Sequence, residues 1–130
     1  NNYCHDVARA ALAEGFLPDF ISTDGSHVFH SFYKPKCFAL PYILSKYIAL
    51  GMSVEDVLER ATARVAKFAG WDRKGVLEPG YDADIAVLSV EKQDVAFEDF
   101  KGDAISGQML LLPQLTMKAG TIVYRNLAFT

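Results

Sequence analysis

A chain of 130 residues with a formal net charge of −3 and no basic stripe gives no electrostatic ground for binding nucleic acid. Hydrophobic residues make up 51% and charged residues 22%, a balance that argues against disorder and allows one domain with an apolar core. Two cysteines are too few for a disulfide framework, and no run reaches the ~20 apolar residues of a membrane span.

In chain order, Asp6 is placed to cap a helix over residues 7–14 that Gly15 ends, with Val7, Ala8, Ala11 and Leu12 as its apolar face. After Pro18, residues 20–24 read as a short strand stopping on Asp24, and Gly25 allows a sharp turn. Residues 25–37 form an aromatic loop with His27 and His30, either a pocket wall or simple packing on the next helix. A helix over 38–50 follows, with Leu40, Ile43, Leu44 and Tyr47 as its buried stripe, Pro41 in its first turn and Gly51 as its stop.

Ser53-Val54-Glu55-Asp56 resembles a capping box opening a second helix that Gly70 closes, with Val54, Val57, Leu58, Ala61, Val65 and Phe68 on one face. Trp71 is expected to pack between two layers, because strands and turns begin there. Gly75 and Gly80 bracket a tight connection, residues 85–90 form an apolar strand, and residues 91–107 read as a loop. Ala119-Gly120, between two β-prone runs, predicts a hairpin. The shift in composition divides the chain into an α/β part, 1–72, and a β part, 73–130.

A carboxylate at the C-terminal tip of an apolar strand is where α/β barrels hold catalytic groups and metal ligands. On local sequence alone, Asp24 before Gly25 reads first as a turn or cap residue. Cys4, His27, His30 and Cys37 could instead form a structural zinc site, although the spacing from Cys4 is long and there is no Cys-x-x-Cys. Asp82, Asp84, Asp94, Glu98, Asp99 and Asp103 read as turn residues and a solvated face.

Three segments together resemble the amidohydrolase superfamily, in its dihydroorotase-like and deacetylase-like branch. Leu17-Pro18-Asp19-Phe20-Ile21-Ser22-Thr23-Asp24 is similar to the last barrel strand, and Ala39-Leu40-Pro41 through Ser45-Lys46 and Leu50-Gly51-Met52 to the final helices. Gly75-Val76-Leu77-Glu78-Pro79-Gly80-Tyr81-Asp82-Ala83-Asp84-Ile85 is similar to the return into the family's β-sandwich, and residues 115–124 to its last strands. The family's Thr-x-x-Pro-Ala stands here as Thr62-Ala63-Arg64-Val65-Ala66, without the Pro.

The resemblance implies an α/β fold: the last helix-strand-helix portion of a (β/α)8 metallo-dependent hydrolase barrel plus the C-terminal half of a small β-sandwich. It implies one or two divalent metals, zinc by expectation, in an intact parent that hydrolyses a C–N bond of a cyclic amide or N-acyl small molecule. Asp24 is the counterpart of the eighth-strand metal ligand and proton carrier. The family's His-x-His pair is not in this sequence, and His27 and His30 follow the Asp, so they are pocket candidates rather than ligands. The expectation is therefore a C-terminal fragment, inactive alone, missing the N-terminal part of the same enzyme, prone to self-association and cytoplasmic. The rival reading is a non-catalytic α/β module that binds a partner chain.

Overall fold

The computed structural model describes residues 3–23, 39–99 and 101–129. Within them, helices α1 (His5–Ala13), α2 (Leu40–Ala49), α3 (Val54–Ala61) and α4 (Ala63–Ala69) precede the strands β1 (Ile85–Glu98), β2 (Ala104–Lys118) and β3 (Thr121–Arg125). The strands form one antiparallel sheet in the order β1-β2-β3.

Helix α1 starts earlier than the sequence predicts, with Cys4 at the N-cap and Asp6 inside the first turn. Cys4 offers no side-chain cap. The cap comes from across the chain: the His5 N–H donates to Asp99 Oδ2 at 3.1 Å. This docking by the first turn shifts the expected apolar face at one end: His5 is buried and Val7 is 69% exposed, while Ala8, Ala11 and Leu12 are half-buried as expected. Leu12 still reaches the core. Gly15 ends the helix as expected, at φ +78°, with Gly15 N–H on Leu12 O and Phe16 N–H on Ala11 O. That pair of hydrogen bonds is the Schellman arrangement, which needs a left-handed residue at its corner.

Helix α2 is the centre of the fold, and none of its residues is exposed. Pro41 sits in the first turn, where its missing N–H costs nothing. Of the expected stripe only Leu44 is fully buried; Tyr42, Ser45, Lys46 and Ile48 are the other deep residues. The stripe was too narrow because α2 has the sheet on one side and helical and loop residues on the other. Ser45 Oγ donates to Pro41 O at 2.7 Å and accepts from Leu111 N at 2.9 Å, tying α2 to β2. Lys46 Nζ donates to Glu98 O at 2.7 Å and lies 4.7 Å from the Tyr3 ring centroid, a cation–π distance. Ile21, Leu44, Ile48, Met52, Val57 and Leu111 form the core beneath it.

Ser53 caps α3 as its sequence predicts: its Oγ accepts from Asp56 N and donates to Asp56 Oδ2, both at 3.0 Å. The single helix expected up to Gly70 is instead two, broken at Thr62, where φ is −132° and ψ −88°. Thr62 Oγ1 donates back to Leu58 O at 2.7 Å, a bond that competes with the helical pattern and bends the chain. The break turns Phe68 away from the core, leaving it 78% exposed against the Phe20 ring, and Trp71 is likewise exposed rather than packed between layers.

Residues 91–98 and 104–107, expected as loop, are strand: β1 and β2 form one long hairpin. Pairing across the ladder, not apolar content, holds these polar residues extended. Asp99 Oδ1 closes the turn by accepting from Lys101 N and Asp103 N. Two residues, Gln93 and Asp94, oppose Gln108 in a bulge between the Lys92–Met109 and Val95–Gly107 pairs. Phe97 is fully buried over Gly107, where an added Cβ would stand 2.6 Å from Phe97 Cε2. The hairpin at Ala119-Gly120 is as expected, with both residues at positive φ, as a two-residue primed turn requires.

Candidate functional site

The residues on which the sequence places chemistry, Asp24, His27 and His30, lie outside the described residues, as does Cys37. The chain that leads to them is described. Residues 20–23 form no strand: they have no ladder partner among the described strands, which pair with one another. Ile21 is buried at 4% exposure, and its N–H donates to the carbonyl of Arg60 at 3.2 Å. The approach to Asp24 is therefore hung from the end of α3.

Beside this run lies an open groove of about 560 Å³ lined by Asp19, Phe20, Glu59, Arg64, Lys67 and Phe68. Phe20 and Phe68 meet with ring centroids 4.9 Å apart. Arg64 Nε lies 3.2 Å from Glu59 Oε2, and buried Arg60 lies 3.2 Å from Asp56 Oδ1, so most of the nearby charge is paired. Such a groove offers apolar contact and two signs of charge, but no grouped acid and base.

Of the carboxylates expected as turn residues and a solvated face, Asp82, Asp84 and Asp99 are instead held by donors, Asp82 by Arg73 at 2.7 Å and Lys74 at 3.0 Å. Asp84, inside the Gly75–Ile85 motif, takes Lys74 Nζ at 2.6 Å, Lys118 Nζ at 2.5 Å and the Ala119 N–H at 2.9 Å. It pins the β2–β3 turn to the segment entering β1. The hydrogen bonds from Lys118, Lys74 and Ala119 hold its carboxyl well below the usual carboxylate range, and donating to Asp84 and Asp82 raises Lys74. At Asp99 burial alone would raise the carboxyl, but the N–H groups of His5, Lys101 and Asp103 outweigh that and lower it. Asp84 could have been singled out from its place in the motif; nothing local marks Asp99 as the cap of a helix 94 positions away.

Among the described residues no three His, Cys, Asp or Glu side chains are grouped to hold a metal ion. Asp84 and Asp99 spend their oxygens on ammonium and amide donors, and the Nε2–H of His5 donates to Phe97 O at 2.8 Å. The described residues alone thus do not fit a divalent metal. Nor does a thiol–imidazole pair form from Cys4 and His5, whose ring is committed to the β1 backbone. No helix among the described residues is long and apolar enough to cross a membrane.

Residues 5–123 match the family model described as "Amidohydrolase family". A deacetylase from Agrobacterium fabrum is 32% identical over 113 residues, covering 87% of this chain and 27% of the relative. A dihydroorotase from Lactobacillus gasseri is 32% identical over 81 residues, covering 58% of this chain and 19% of the relative. The crystal structure of an adenine deaminase superposes with a TM-score of 0.88 at 25% identity, covering 97% of this chain and 33% of that one. The chain thus spans about a third or less of these relatives. The family model matches nearly the whole of this chain nonetheless: this chain belongs to the amidohydrolase family.

Proposed function

We propose that this chain is the C-terminal portion of a metal-dependent amidohydrolase whose parent hydrolyses a C–N bond of a cyclic amide or N-acyl small molecule. The observation that supports the reading is the superposition over 97% of this chain on 33% of a solved deaminase. The relatives named deacetylase and dihydroorotase support the substrate class. On this reading residues 1–72 belong to the barrel and 73–130 to the sandwich. Asp24 is one metal ligand and carries the proton to the leaving nitrogen; His27 and His30 line the substrate pocket. The metal, zinc on this reading, polarises the substrate carbonyl and activates water. The remaining ligands come from the N-terminal part of the same enzyme, in the cytoplasm.

The 130-residue chain alone has no hydrolase activity on this reading, because one carboxylate cannot hold a catalytic metal in order. The exposed aromatic and aliphatic side chains Phe16, Phe68 and Leu77 support self-association of the isolated chain, and they also favour the second reading, a module that binds a partner chain. The test extends the chain through its upstream coding sequence and assays N-acyl amino acids and cyclic ureides with and without zinc. Zinc-dependent hydrolysis by the extended protein alone is expected. Turnover by the 130-residue chain itself overturns the predicted inactivity; a folded, extended protein with no metal-dependent C–N hydrolysis overturns the enzyme.

A further inference from the structure

Two buried polar atoms where α1 docks on the sheet, Tyr3 Oη and His5 Nδ1, have no hydrogen-bond partner among the described residues. His5 is only 3% exposed, and its other ring nitrogen is already engaged. Because the Phe97 carbonyl can only accept, the 2.8 Å contact puts the ring proton on Nε2. In the neutral imidazole Nδ1 is then a lone pair that calls for a donor.

Tyr3 Oη is the complementary group. Burial above all, with smaller effects from Tyr47, Asp99 and Cys4, pushes this phenol up, so the hydroxyl keeps its proton to donate. A direct bond from Oη to Nδ1 would satisfy both atoms, and the structure does not form it. Three contacts hold the Tyr3 ring where it is. It meets the His5 ring edge-on with centroids 5.3 Å apart, meets the Tyr47 ring at 5.9 Å, and has Lys46 Nζ 4.7 Å from its centroid. The neighbouring charges have other tasks: Lys46 donates to Glu98 O, and Asp99 accepts the amides of His5, Lys101 and Asp103.

A buried donor and a buried acceptor left unpaired are costly, and protein interiors meet them with a direct bond or an ordered water. One water answers both, its oxygen accepting from Tyr3 Oη and one of its O–H groups donating to His5 Nδ1. Two such anchors fall within the range of about 2–4 polar partners that internal waters have. We infer that the junction of α1, α2 and β1 is a binding site for an internal water held between Tyr3 Oη and His5 Nδ1. The site stands apart from the metal and substrate reading. Together with the His5 N–H on Asp99 and Nε2–H on Phe97 O, it completes the polar fastening of the first turn of α1 to the β1–β2 hairpin.

The test uses the full 130-residue chain. Oxygen-17 relaxation dispersion counts long-lived internal waters, and the nitrogen-15 shift of His5 Nδ1 reports whether that lone pair accepts a bond. Tyr3→Phe keeps the ring and removes the hydroxyl. It is expected to lower the count by about one water and to move Nδ1 toward its unbonded position. Tyr42→Phe, which loses a hydroxyl bonded to Ala96 O, is expected to change neither. An Nδ1 signal that moves in Tyr3→Phe with no loss of water reveals a direct Tyr3–His5 bond and overturns the site. A count that falls equally in Tyr42→Phe also overturns it. If Tyr3→Phe does not fold, a crystal structure of the unaltered chain decides. Water density within hydrogen-bonding reach of both atoms is expected, and none there removes the inference.

Discussion

The contact between α2 and the sheet and the run of residues 17–23 are held in opposite ways. Between α2 and the sheet, Ser45, Lys46 and Tyr42 each bond to the backbone of a strand, and Phe97 packs against the Tyr42 ring. The 17–23 run is tied to the end of α3 by the Ile21 N–H on the Arg60 carbonyl, and its outer residues Leu17 and Phe20 are exposed. Polar anchors fix α2 to the strands, whereas the 17–23 run is held by the buried Ile21 side chain and its N–H on a helix end. Stability should therefore concentrate in the first region.

The comparison breaks if Phe97→Ala is mild. Truncating this fully buried ring over Gly107 is expected to cost about 3–5 kcal/mol in denaturant unfolding. Lys46→Ala comes next, at about 2–3 kcal/mol, because it leaves the Glu98 carbonyl without a charged donor and empties the space beside Tyr3 and Tyr42. Ser53→Ala removes an exposed cap and should cost about 1 kcal/mol. Phe68→Ser, on the outward face, should change unfolding by less than about 0.5 kcal/mol. It should lower any self-association measured by sedimentation; unchanged association in Phe68→Ser places that contact elsewhere.

Proton linkage sharpens the same contrast. Asp84 and Asp99 are depressed when folded, so the stability they contribute is present above the ordinary value of 3.8 and is lost as pH falls through their folded values. Lys74 is raised by Asp84 and Asp82, and Tyr3 by burial above all, so their contributions are complete below 10.5 and 10.0 respectively and are lost as pH rises through the folded values. All four groups belong to the sheet, its entry segment or the clasp at the start of α1. Acid unfolding monitored by circular dichroism should shift to higher pH in Asp99→Asn, and an unshifted curve would remove Asp99 as the trans cap.

Local chemistry wrote much of the fold legibly. Gly15, Gly51 and Gly70 stop helices where the sequence places them, each at positive φ, and Ser53 and Ala119-Gly120 do what their local bonds dictate. The resemblance on Gly75–Ile85 and on Ser45-Lys46 pointed to the right family. Legibility failed where a partner distant in sequence decided the outcome. Glu91 to Asp94 are polar and exposed yet extended, because β2 pairs with Glu91 and Lys92 and again with Val95 beyond the bulge. The run before Asp24 is apolar like a strand, yet without a ladder it is held by a helix end.

By itself the sequence determined the family, the helix stops, the Ser53 cap and the tight hairpin, since each depends on residues within a few positions of one another. Only the tertiary structure decided that α2 is buried all round, that Asp99 caps α1, that the long helix breaks at Thr62 and that Arg60 holds Ile21. Those are bargains between groups far apart along the chain, where a buried amide or ammonium takes whichever oxygen the packing brings within reach.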